Sequence, residues 1–272
     1  MADQWLTQRL RALRGFMAGE QQIQRGYTAA AASWAGRVRA GVMAPFRRGG
    51  QAPDPSMVLA QNDHWQQELR RRLAPGILDT LRNGWANAIG QPPPTGFDQS
   101  HQAQQHLTES VNRMVRMPDE VYREIAAIIA DGINEGQSIP DIAARVDELL
   151  TVTGSENWRN RALVVARTET GAAMNRGALF AAQARQEADG VPYDKVWLAT
   201  VGGTSGQRTR PSHRKADGQR VPLEVPFAVG EAQLMHPGDQ TGPANEVIQC
   251  RCSILVLRRD ELTTSLLDRQ NP

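Results

Sequence analysis

Two cysteines, two histidines and a run of arginines hold most of the reactive side chains near the C-terminal end of this sequence. "QRTRPSHRKADGQRVP", residues 207–222, carries Arg208, Arg210, His213 and Asp217; "MHPGD" supplies His236 and Asp239; "VIQCRCSILVL" supplies Cys250 and Cys252. In an extended chain, side chains two apart point the same way. Cys250 and Cys252 therefore present both sulfurs to one face and leave Arg251 on the other. With His213 and His236 they make a Cys₂His₂ set of the kind that holds zinc in a tetrahedron.

Other chemistries compete for the same residues. Cys-x-Cys is not the common Cys-x₂₋₄-Cys knuckle, and a free buried cysteine packs as a small apolar residue, which is the leading expectation for this pair. A nucleophilic cysteine needs a base and an electropositive pocket, for which His213 and Arg251 are at hand. A metal-dependent nuclease or other modifying enzyme built on residues 195–258 is the alternative reading of the arginine-rich run. Such centres use several carboxylates or histidines, and only Asp217 and Asp239 stand close. The arginines suit structural work better. Arg208 and Arg210, alternate on a strand edge, fork onto carboxylates or backbone carbonyls, and Asp217-Gly218 makes a tight turn. On the helical stretch "VARTETGAAMNRG", a buried Glu169 paired with an arginine would lock the helix onto the β-rich part. The expectation is a protein that is not an enzyme and holds no cofactor unless the Cys/His set takes zinc.

The elements that position these residues follow from periodicity. Apolar residues recur every three or four positions from Leu6 to Val42, predicting two helices, or one that needs a partner surface because glycines at 15, 19, 26, 36 and 41 weaken it. Asp54-Pro55 opens a second helical stretch that runs to Ile89 through Pro75, and "GQPPPTGFD" is a stiff linker. Helices resume at 107–115 and 121–133. A short one is capped by Ser138, and another runs from about Ser155 to about Ala188. After "DGVPYD" the period turns extended: "KVWLATV", "QRVPL" and "CSILVLR" read as strands separated by a loop-rich span. Helices first and a compact β-containing end argue for an α+β fold.

Composition sets the setting. The chain has 272 residues, 40% apolar and 22% charged, and is globular. No apolar run reaches the roughly twenty residues that cross a bilayer, and the N-terminus does not read as a signal peptide. Two close cysteines make no disulfide framework; a reducing, non-membrane setting is expected. The net charge of +2 hides a gradient. Residues 1–90 hold twelve arginines against six acidic residues, whereas residues 91–160 hold five against eleven. Arg9, Arg11, Arg14, Arg25, Arg37, Arg39, Arg47 and Arg48 are thus candidates for double-stranded DNA contact, to phosphate and blind to sequence. Their apolar stripe is expected to dock on a larger assembly.

From about residue 138 to 258 the chain resembles the phage Mu F-like family of minor head proteins. The resemblance rests on the order and spacing of "SIPDIAARVDEL", "VARTETGAAMNRG", the tryptophan of "KVWLAT", "RTRPSHRKADGQ", "PF", "MHPGD" and the closing "CRC". The motif residues are Arg167, Glu169, Trp197, Arg208, Arg210, His213, Asp217, Gly218, Cys250 and Cys252. Two positions depart from the pattern: "TSGQRTR" lacks an acidic residue before RTR, and Gln249 stands where the family usually has asparagine. The resemblance implies a structural minor head protein of a tailed double-stranded DNA phage or prophage, present in few copies. It implies the portal protein and other head proteins as partners, a place in the virion head at the capsid interior or portal vertex after assembly in the host cytoplasm, and a role in head assembly or DNA delivery. The chain then divides into a basic helical region (1–95), a helical connector (96–137), a Mu F-like α+β domain (138–258) and a tail (259–272).

Overall fold

The computed structural model describes residues 2–200 and 209–260, with side chains from residue 14 onward. Helices fill the first part: α1 (Ala2–Val42), α2 (Ala44–Gly49), α3 (Ser56–Leu59), α4 (Asn62–Ile89), α5 (His101–Met114), α6 (Met117–Asn134), α7 (Ile139–Leu149) and α8 (Glu156–Asp189). The C-terminal part carries β1 (Tyr193–Leu198), α9 (Pro211–Lys215), β2 (Arg220–Pro222), β3 (Phe227–Val229), β4 (Ala232–Leu234), α10 (Ala244–Val247) and β5 (Ser253–Arg258). The fold class is α+β.

The described residues fall into two compact units that cut across the expected linear segments: one within Met1–Ile23, Gly76–His106 and Val164–Pro272, the other within Gln24–Pro75 and Leu107–Leu163. The second unit is helical. Its aromatic centre is Trp65, which meets Tyr27 edge-on at 5.7 Å between ring centroids and Trp34 at 5.8 Å. Its indole N–H donates to the Met114 carbonyl at 2.8 Å. Tyr27, Trp34, Val38 and Val42 are all buried here. The 27–42 part of the α1 stripe, which was expected to need an external surface, is therefore covered within the chain in this unit, whereas Met17 is 65% exposed; α1 is one continuous helix. Arg39, a candidate for DNA, instead forks onto Asp147, its Nε donating to Oδ1 at 2.6 Å.

In the first unit, α4 and α8 touch backbone to backbone. A Cβ added at Gly84 would lie 2.1 Å from the Met174 carbonyl oxygen, and one at Gly177 the same distance from that of Leu81. Only glycine fits at either crossing point. Ala172, Ala173, Ala181 and Ala182 are buried along the same stretch, as a helix covered on most sides requires.

One antiparallel sheet has the strand order β2-β1-β5, with Trp197 opposite Ile254 and Lys195 opposite Val221 and Val256. The span expected to be loop-rich also holds a two-stranded hairpin, β3 against β4, turned at Gly230 with φ +61°. A core of Trp197, Phe227, Val229, Leu234 and Val247 includes Cys250 and Cys252. The two cysteines thus sit within an apolar core of the β-containing region.

Candidate functional site

His213 is carried by α9, a single turn that starts at Arg210 in an extended conformation and has Pro211 at its first position. Proline suits that position because no helical N–H is needed there. Glu246 comes from the short α10, and the two cysteines from the extended segment leading into β5. Gln249, just before them, has a left-handed backbone with φ +57°, a conformation that asparagine adopts more readily than glutamine. Its N–H donates to Thr168 Oγ1 at 3.0 Å, while that hydroxyl donates to the Val164 carbonyl at 2.8 Å. The turn is therefore pinned to α8.

The ligand atoms of His213, Cys250 and Cys252 lie within 4.8 Å of one another, and all three residues are buried. His213 Nδ1 is 3.4 Å from Cys252 Sγ and 3.6 Å from Cys250 Sγ. On the other side of the ring, Nε2 is 2.9 Å from Glu246 Oε2, which also accepts from Ser212 Oγ at 2.8 Å. A carboxylate only accepts, so Nε2 carries a proton, and Nδ1 is the nitrogen that faces the two sulfurs. The Trp197 ring meets the His213 imidazole edge-on at 5.4 Å. The Cys250 thiol, helped by His213, favours the thiolate of Cys252 against the opposing effect of burial; the same contact with Cys252, together with burial, pushes Cys250 up. A cavity of about 270 Å³ opens on these atoms, walled in part by Arg167, Thr200, Thr209, Arg210 and Arg251.

The remaining motif residues have structural surroundings. Arg210 donates to the Ile248 carbonyl at 2.6 Å through one guanidinium nitrogen. Asp217 Oδ1 accepts from Ala199 N–H at 2.8 Å, and Gly218 turns at φ +77° with its N–H on the Trp197 carbonyl. Glu169 is buried on α8, while Arg167 pairs with Glu20 of α1 at 3.1 Å. Arg208 lies outside the described residues, as do the side chains of Arg9 and Arg11. Arg14, Arg25, Arg37, Arg47 and Arg48 are exposed.

His236 is not in the three-residue set. It is buried, with Nδ1 donating to the Pro237 carbonyl at 3.0 Å, and burial pulls its pKa down to about 4. Asp239, beside it, accepts from Met235 and Thr241 N–H and so shapes this loop.

Three residues given no role in the sequence analysis, two of them within VARTETGAAMNRG, hold the arrangement together. Glu246 orients His213, Thr168 pins the Gln249 turn, and Asn175 joins α8 to the closing segment. Asn175 Nδ2 donates to the carbonyls of Gly171, Pro237 and Cys252 at 2.9–3.0 Å, and its Oδ1 accepts from Ile254 N–H at 3.0 Å. Gly171 permits the approach, since a Cβ there would sit 2.8 Å from the Cys250 carbonyl oxygen.

Residues 123–255 match the family described as phage Mu protein F like protein. The match starts inside α6. Among curated proteins, NAD(+)--arginine ADP-ribosyltransferase EFV of Enterococcus faecalis is 28% identical over 143 residues, 53% of this chain and 27% of that protein. Minor head protein GP7 of Bacillus phage SPP1 is 29% identical over 148 residues, 53% of this chain and 43% of that protein. The chain thus spans less than half the length of either relative. No solved structure matches it. The matched family and one of the two relatives are phage proteins, and that relative is a minor head protein.

Proposed function

We propose, from the membership of residues 123–255 in the phage Mu protein F-like family, that this chain is a minor head protein of a tailed double-stranded DNA phage or prophage. It is a structural component at the capsid interior or portal vertex, with the portal protein and other head proteins as partners, and it acts in head assembly or DNA delivery. The observation that carries this reading is the way the matched segment closes on itself. The α8 motif and the Cys-Arg-Cys segment, 77 positions apart at Asn175 and Cys252, meet through hydrogen bonds of the Asn175 side chain with the backbone of Cys252 and Ile254. Such a segment is built for shape. No described helix is long and apolar enough to cross a membrane. Exposed Arg25, Arg37, Arg47 and Arg48 supply phosphate contacts to packaged DNA that carry no sequence information.

Co-expression with the portal protein of the phage that encodes it tests the assignment. Co-purification of the two, and heads that assemble abnormally or deliver no DNA when the gene is deleted, is the expected result. Normal infectious particles after deletion would overturn it. The likeness to an ADP-ribosyltransferase covers 27% of that protein, and a structural head component carries out no NAD-dependent step. Turnover of NAD(+) by the purified chain would overturn that part.

A further inference from the structure

Three features of the His213 cluster go beyond what packing a core asks for. First, both sulfurs approach one imidazole nitrogen, at 3.4 and 3.6 Å. That nitrogen makes one in-plane hydrogen bond well, and the second sulfur, although it also meets the first, crowds the same nitrogen. Around a tetrahedral ion it is required. Zn–S bonds of about 2.3 Å and Zn–N bonds of about 2.0 Å place nitrogen and sulfur roughly 3.6 Å apart. Second, the far nitrogen of His213 is fixed by a carboxylate at 2.9 Å that is itself held by Ser212. A carboxylate behind a histidine sets the tautomer and raises the basicity of the ligating nitrogen, and is the usual surrounding of a metal-bound imidazole. Third, among the described residues the convergence opens on a cavity of about 270 Å³.

A thiolate nucleophile with an imidazole base shares some of this geometry. It uses one sulfur, and the second would compete with it for the same imidazole nitrogen. Two thiolates and one neutral nitrogen are a soft, tetrahedral donor set that selects zinc over magnesium or calcium.

We propose that His213 Nδ1, Cys250 Sγ and Cys252 Sγ bind one zinc ion, that Glu246 positions His213 for it, and that the fourth coordination position opens to the cavity and is filled by solvent. His236 takes no part. The ion fastens α9, the segment before β5 and, through Glu246, α10, three short pieces with little regular hydrogen bonding of their own. The site is independent of the role in the phage head: it stands or falls on metal binding alone.

The test uses the full chain purified under reducing conditions without a metal-affinity tag. Elemental analysis is expected to find one zinc per chain. After removal of the ion and addition of cobalt(II), a thiolate-to-cobalt charge-transfer band and the intense visible bands of a tetrahedral site should appear. Cys250→Ser and Cys252→Ser should each abolish the two-thiolate spectrum. Glu246→Gln should retain it with affinity lowered about 10–100-fold, and His236→Ala should leave it unchanged. In the zinc-loaded chain both thiols should resist iodoacetamide until a chelator is added. Failure of the wild-type chain to give a charge-transfer band with excess cobalt would overturn the site, even if the cysteine variants do not fold. So would loss of metal on His236→Ala with retention on His213→Ala, or free alkylation of Cys252 in the zinc-loaded chain.

Discussion

Asn175 and Cys252 are joined by a buried hydrogen bond of 3.0 Å from the amide nitrogen to the carbonyl oxygen, and the same side chain accepts from the N–H of Ile254. One amide on α8 thus sets where the cysteine segment ends and β5 begins. Its remaining donor capacity goes to the Gly171 and Pro237 carbonyls, so four backbone groups depend on it. Asn175→Ala takes this partner from the Cys252 carbonyl and the Ile254 N–H, whereas the Pro237 carbonyl keeps His236, at a cost of about 2–4 kcal/mol. Chemical denaturation should show that loss as a lower midpoint. Asn175→Asp should be at least as damaging, because a carboxylate has no N–H to give and sets negative charge against carbonyl oxygens. Wild-type stability in either variant would remove Asn175 from its place as the clamp.

Gln249 occupies a left-handed backbone position, at φ +57°. Its N–H bond to Thr168 serves equally well with any residue there. Gln249→Asn is expected to stabilise the chain by about 0.5–1 kcal/mol, and Gln249→Val to destabilise it by more than that, because a β-branched residue fits this region worst. Thermal melting of the two variants beside wild type measures both shifts, and a Gln249→Val melt equal to that of wild type would contradict the strain.

Lys195 is fully buried in β1, its ammonium donating to the Met235 carbonyl at 2.7 Å and lying 5.1 Å from the centre of the Phe227 ring. Burial, partly offset by Asp239 and Glu224 and reinforced by Arg176, pulls its pKa down to about 8. In the unfolded chain an ordinary lysine value near 10.4 returns. Below pH 8 both states hold the proton and the full penalty of the buried charge is present. Between about pH 8 and 10.4 the unfolded state binds more protons, so this group makes stability rise with pH. Subtracting the profile of Lys195→Met from that of wild type isolates the effect. A difference curve that is flat or falls across that window would show that the ammonium is not desolvated.

The exposed arginines of α1 and α2 make a prediction about DNA. With Arg39 engaged by Asp147, contact among the described side chains would rest on Arg14, Arg25, Arg37, Arg47 and Arg48. Binding to duplex DNA should be weak and fall with salt, with a log–log slope of about −0.9 for each phosphate neutralised. Arg37→Ala, Arg47→Ala and Arg48→Ala together should flatten that slope, whereas Arg39→Ala should leave it alone. A salt-independent affinity would leave protein partners alone in the account.

Local chemistry made several elements legible in the sequence. Ser138 caps α7, its hydroxyl accepting from the Asp141 N–H. The three-and-four rhythm from Trp158 to Leu179 gives α8 within a residue or two, and the change to period two gives β1 and β5. The order of those pieces carried the family resemblance. The β3–β4 hairpin escaped because three-residue strands show too little alternation to register. The extent of the α1 stripe was plain, but what covers it was not, since Trp65 comes from a helix whose place is set by packing.

The types of the site residues were written in the sequence; their company was not. Cys-x-Cys states that two sulfurs share a face because an extended backbone repeats every two residues, a purely local fact. Which histidine meets them depends on how α9 and the 235–239 loop are carried by the sheet and by α8. Only the tertiary structure brings His213 to the sulfurs and turns His236 toward Pro237. Glu246 and Asn175, which orient and clamp the cluster, act through contacts 33 and 77 positions distant in the chain. No local pattern records such contacts, because they arise from the packing of elements whose sequences are read one at a time.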